Sequence, residues 1–200
     1  MLSEQDSLAD NMIDLKDHDV LEIGCGTGLA GMYCAAACFP KRMVFTDHID
    51  DLLRNVYHNL SENAHCFPCV ETSVCKLDWN QPRQMKGTYD EGDITPQEKT
   101  FQRIIAADIC YDVPSTILAV DTIHEWIAPS AVVYVVLPVR KGFDKELETF
   151  ERCMREKQVL KLDTREVISR QSFSEINHSV ALDIAFQESE QEFVFFKYSR

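Results

Sequence analysis

The sequence predicts an α/β fold: a mostly parallel sheet covered by helices on both faces and completed by an antiparallel carboxy-terminal hairpin. Three observations lead there. Short, nearly continuous apolar runs alternate with amphipathic stretches of crossover length through the first three quarters of the chain, the pattern of strand–helix–strand units. A glycine cluster, "VLEIGCGTGLAG" (20–31), lies between the first apolar run and the first helical stretch. After residue 157 the alternation stops, and two strand-like segments follow with no clear helix between them.

The elements follow in order. "DVLEIG" (19–24) reads as the first strand, apolar enough to be covered on both faces, and the helix after it spans 28–38. "RMVFTD" (42–47) is the second strand. A helix over 49–61 places Leu52, Leu53, Val56 and Leu60 on one face. "CVETSVCKLD" (69–78) is the third strand. Residues 79–100, "WNQPRQMKGTYDEGDITPQEKT", mix Pro, Gly and charge without periodicity and read as a long surface loop. "RIIAAD" (103–108), a helix over 114–127, "AVVYVVLP" (131–138) and a helix over 142–157 continue the alternation. "QVLKLDTREVI" and "QEFVFFKYSR" form the hairpin.

Composition narrows the function. A chain of 200 residues with 45% hydrophobic content suits one domain, 1–200, with a sizeable core. Its formal net charge of -13 argues against nucleic acid as a partner, because gripping phosphates takes clustered Lys and Arg. The start, "MLSEQDSLAD", lacks the basic and apolar regions of a secretory signal, and no run has membrane-spanning length. The eight cysteines fall mostly inside apolar or helical patterns and read as reduced thiols, which predicts a cytoplasmic or nuclear monomer. "CFPC" (66–69) lacks a second Cys or His pair, so no metal is expected there. The N-x-S sequons at Asn59 and Asn177 are irrelevant without secretion.

The glycines raise the question of their ligand. A dinucleotide fingerprint reads G-x-G-x-x-G, whereas here Gly24, Gly26 and Gly28 alternate with Cys25 and Thr27, and Leu29 occupies the place of the third glycine. No G-K-[ST] follows, which excludes a Walker loop. Glu22 puts a carboxylate near the carboxyl edge of the first strand, a poor companion for pyrophosphate and a good one for a cationic ligand such as the ammonium and sulfonium of S-adenosylmethionine. Asp47 ends the second strand where an acid meets ribose hydroxyls in doubly wound folds. Asp78 and Trp79 end the third with an acceptor and a flat ring, suited to the edge and face of adenine. Each has a structural alternative: Glu22 as a surface acid, Asp47 as a helix cap, Trp79 as core.

"VLEIGCGTGLAG", "VFTDHIDDLLRNVYHNL", "KLDW" and "IIAADICYD" together resemble the lysine methyltransferase-like, methyltransferase-16 type of S-adenosylmethionine-dependent protein methyltransferases, over roughly residues 8–140. Within that group the motifs are most similar to the branch of methyltransferase-like protein 22. The resemblance implies a Rossmann-like seven-strand class I methyltransferase sheet with an antiparallel last strand, and methyl transfer to a protein side chain, most simply lysine. It also implies that Asp108-Ile109-Cys110-Tyr111 is the D-x-x-Y catalytic signature. Methyl transfer is an in-line displacement that needs no metal and depends on near-attack geometry. A lysine amine, with an unperturbed pKa of about 10.4, must be neutral to attack, and an adjacent carboxylate favours its charged form. Asp108 is therefore expected to orient the amine, and Tyr111 to shape its pocket. The alternative makes Asp108 the cap of the next helix and packs Tyr111 against the cofactor's floor. Ala106 is small enough to let the cofactor's methionine end lie against its strand. His48 stands beside the ribose edge. "ADICYD" is not the N-P-P-Y pattern of adenine amino-methylation, and the acidic surface would steer a basic protein segment instead. Two other functions stay open, a cofactor-binding scaffold without turnover and a small-molecule or RNA methyltransferase. Members of the group carry an upstream lid with Gly and Trp. "MLSEQDSLADNMIDLKDHD" has neither, so a shortened lid retaining "SLADNMIDL" as its last helix is expected, with poorer exclusion of water.

Overall fold

The computed structural model describes residues 13–88, 100–169 and 192–200. Residues 7–12 of the expected lid helix, most of the tail of the 79–100 loop and Asn177 lie outside the described residues. The strands are β1 (Asp19–Ile23), β2 (Arg42–Asp47), β3 (Glu71–Leu77), β4 (Met85–Gly87), β5 (Phe101–Ala107), β6 (Ile127–Pro138), β7 (Lys161–Ile168) and β8 (Phe193–Ser199). They form one sheet in the order β4-β3-β2-β1-β5-β6-β8-β7. β1, β2, β3, β5 and β6 run parallel, while β8 is antiparallel to both β6 and β7. The expected mixed sheet and its carboxy-terminal hairpin are both present.

Helices α1 (Leu29–Cys38) and α2 (Asp50–Asn63) cover one face, and α3 (Val113–Trp126) and α4 (Asp144–Glu156) the other. Alternation along β1 divides the core: Val20 joins Met43, Phe45, Leu53 and Val56 under α1 and α2, and Leu21 and Ile23 join Ile104, Val120, Trp126 and Phe150 under α3 and α4. Of the apolar face foreseen on the second helix, Leu53, Val56 and Leu60 are buried and Leu52 is half-buried.

Two boundaries depart from the sequence expectation. Part of the 79–100 segment is a strand, β4, antiparallel to β3 with Leu77 opposite Met85. Met85 is completely buried, and Trp126 Nε1 donates to Pro82 O at 2.7 Å, which fixes the approach to β4. Three residues are too few to show a period, so only this tertiary burial identifies the strand. β6 begins at Ile127 rather than at 131, because Ile127 pairs with Phe101 and the register then shifts before Arg103 meets Val132. The helix before it accordingly stops at Trp126.

Candidate active site

The five parallel strands end on one edge of the sheet, and the glycine loop leaves β1 there. Gly24, Gly26 and Gly28 all adopt positive φ (68°, 55° and 81°), which explains the glycines at these turns. A Cβ on Gly24 would lie 3.1 Å from Ile109 Cγ2 and 3.1 Å from Trp79 Cζ2. The ends of β1, β3 and β5 are therefore in contact through this glycine. Gly26 has open space where its Cβ would point, and Gly28 packs on Val56 of α2. Thr27 is exposed and its carbonyl accepts from Asn59 Nδ2 at 3.0 Å, tying the loop to α2.

Asp47 brings in β2. Its Oδ2 accepts from Gly26 N at 3.1 Å, and its Oδ1 accepts from His48 N at 2.7 Å and Ile49 N at 3.1 Å. It is thus a tether between loop and strand, and α2 starts at Asp50 with Ile49, not Asp47, as its cap residue. Cys25 is buried with its N–H on Thr46 O at 2.8 Å, and burial, with Glu22 and Asp47 nearby, pushes its thiol far up, so it stays a protonated packing group. Asp78 Oδ1 accepts from Asn80 N and Nδ2 at 2.9 and 3.0 Å, and those bonds hold its carboxyl below the usual range. Trp79 is half-buried, with its ring against Gly24 and the core. Ala106 is 4% exposed between Ile23 and Val135.

Glu22 is placed differently from its neighbours. It is not a surface acid: it lies beneath α1 at 2% exposure, and its Oε1 accepts from Gly31 N at 3.1 Å. Its Oε2 is buried without a hydrogen-bond partner among the described residues, and burial pushes the carboxyl up to about 8. A Cβ on Gly31 would come within 2.3 Å of that Oε2 and 2.5 Å of Phe45 Cε1. Gly31 is thus the glycine of close helix–strand approach that Leu29 had seemed to displace. Sequence reasoning passed over it, although a glycine inside a helical pattern was the signal.

Asp108, just past β5, has φ 56°, rare for a residue with a side chain, and its N–H donates to Val136 O at 2.9 Å. It does not cap α3. Asp112 does so, with Oδ1 accepting from Ser115 N at 2.7 Å and Ser115 Oγ returning to Asp112 N. Asp108 Oδ2 instead accepts from Arg140 Nη2 at 2.5 Å, and its Oδ1 is buried with no hydrogen-bond partner among the described residues. Tyr111 is 57% exposed at the rim. Desolvation of its hydroxyl and the Asp108 charge raise its pKa, so it remains a neutral phenol. Arg140 was not anticipated, because its role depends on a contact between the ends of two different strands.

The residues at this edge fit an adenosyl ligand carrying positive charge: a loop with open backbone at Gly26, acids at the ends of three strands, and a buried carboxylate oxygen on Asp108 without a hydrogen-bond partner among the described residues. Comparison with known proteins agrees. A family model described as "Lysine methyltransferase" matches residues 2–156. The chain is 32% identical over 138 residues to the protein-lysine N-methyltransferase rrg1 of Schizosaccharomyces pombe, an alignment covering 68% of this chain and 43% of that protein. It is 27% identical over 159 residues to the protein-lysine N-methyltransferase EFM2 of Saccharomyces cerevisiae, covering 76% of this chain and 35% of that one. The chain therefore spans less than half the length of these relatives. A methyltransferase crystal structure from Pyrococcus furiosus superposes with a TM-score of 0.58 at 14% identity, over 98% of this chain and 84% of the other, a likeness of fold alone.

Proposed function

This chain belongs to the lysine methyltransferase family, and from that premise we propose that it transfers a methyl group from S-adenosylmethionine to a lysine side chain of a protein. The observation that carries the reading is Asp108: a strained residue on the edge that holds the glycine loop, with one carboxylate oxygen buried and without a partner among the described residues. S-adenosylmethionine, when bound, supplies an electrophilic methyl group on a sulfonium. The glycine loop offers it backbone without intervening side chains, and Asp47 faces the sugar. Asp78 and Trp79 take the edge and face of the base, and Ala106 leaves room along β5. Glu22 acts from behind the loop, fixing the first turn of α1 through Gly31. Asp108 accepts a hydrogen bond from the acceptor amine and aims it, and Tyr111 forms the rim of the acceptor pocket. The chain's contribution is orientation and exclusion of water rather than strong base catalysis.

The net charge of -13 supports a basic protein segment as acceptor through steering. No disulfide joins the cysteines among the described residues, which suits the cytoplasm or nucleus. The reading stays at the level of the family and does not depend on the methyltransferase-like protein 22 branch. Incubation with methyl-labelled S-adenosylmethionine and a cell lysate tests it. Protease-sensitive, nuclease-resistant label that falls at least about 100-fold with Asp108→Ala is the expected outcome. Nuclease-sensitive label contradicts the protein acceptor, and label equal in the variant contradicts the role of Asp108.

A further inference from the structure

The Asp108 carboxylate creates a difficulty for its own task, since an unopposed anion beside a lysine stabilises the ammonium, which cannot attack. Asp108 pairs with Arg140, from the connection between β6 and α4, and its charge acts on Cys110 and Tyr111 of its own connection, which also feel Glu146 from α4 and Asp47 from β2 respectively. Arg140 is the cation in this set. Its Nη2 takes Asp108 Oδ2 at 2.5 Å, its guanidinium lies over the Phe143 ring at 5.7 Å, and both charged side chains remain more than a third exposed. Pairing through one oxygen leaves Oδ1, buried and without a hydrogen-bond partner among the described residues, as the oxygen that can take one N–H of an amine seated against it. Resting on the reading of the chain as a lysine methyltransferase, we infer that Arg140 is a positioning residue that turns Asp108 Oδ1 toward the acceptor and offsets its charge, so that lysine is held as the neutral amine.

Removing the guanidinium then shifts the reaction in pH rather than simply weakening it. Without it, Asp108 holds the bound ammonium more firmly, and the acid limb of the pH–rate profile moves up. Label transfer into lysate protein, followed from about pH 6 to about pH 10, should show this limb displaced by about one unit in Arg140→Gln. That corresponds to a roughly tenfold loss near neutral pH, largely recovered in alkali, with Arg140→Lys close to wild type. Thermal midpoints of wild type and variants, with and without S-adenosylmethionine, report on folding and cofactor binding independently of turnover and should agree. A superposable profile, a loss of equal size at every pH, or a fall in cofactor stabilisation with Arg140→Gln overturns the inference while leaving the methyltransferase reading intact. Wild-type protein that labels nothing at any pH overturns that reading, and the inference with it.

Discussion

Glu22 is the residue whose burial has the clearest thermodynamic consequence. In the native protein its carboxyl keeps its proton up to about pH 8, whereas an ordinary glutamate, titrating at 4.5, has lost it well before. Between those values the native state binds the additional proton, so stability falls as pH rises, by at most about 1.4 kcal/mol per pH unit. Glu22→Gln should remove that slope: urea unfolding at about pH 5.5 and about pH 8 should show a loss in wild type that is absent from the variant. Equal pH dependence in the two would mean that the buried carboxyl does not titrate in this window. The candidate site was largely legible at this scale because Asp47, Asp78 and Asp108 each stand at a strand's carboxyl end, a position that apolar runs mark in the sequence. Glu22 was legible as an acid by the loop but not as one lying under a helix. Gly31 and Arg140 were not, because what defines them is contact with Glu22 and Asp108 across the tertiary structure.

Among the elements, α3 explains why Asp108 is available. Its first turn is capped by Asp112 and Ser115 in a reciprocal pair, with Pro114 just inside the start. Asp112→Ala should cost about 1 kcal/mol of stability in chemical denaturation and leave labelled-methyl transfer per folded molecule unchanged. A collapse of transfer without loss of stability would place Asp112 in the acceptor site instead. The segment before β1 is secured separately: Arg103, 8% exposed, donates to Asp14 O at 2.6 Å and Asp14 Oδ2 at 2.9 Å, and Asp14 N donates to the Tyr134 hydroxyl at 3.0 Å. Elements with a sustained apolar period were readable. The carboxy-terminal pair was readable from composition, with β7 an exposed edge bearing Lys161, Asp163, Arg165 and Glu166. β4 was hidden because three residues carry no period, and the start of β6 because a register shift opposite Phe101 lets pairing begin at the last turn of a helix.

At the scale of the whole molecule, the sheet order brings the ends of β3, β2, β1 and β5 side by side, so residues from four separated stretches of sequence gather at one edge. The fold by itself assigns no chemistry, since the Pyrococcus furiosus likeness is one of architecture. The function rests on whether those strand ends bind one adenosyl compound together. Calorimetric titration of the wild type and Asp47→Ala with S-adenosylmethionine, with NAD as the competing dinucleotide, measures this directly. A single S-adenosylmethionine site is expected in the wild type, weakened about 10- to 100-fold by the substitution as the charged acceptor is lost, with no uptake of NAD. Equal affinity in the two proteins, or preference for NAD, would contradict it.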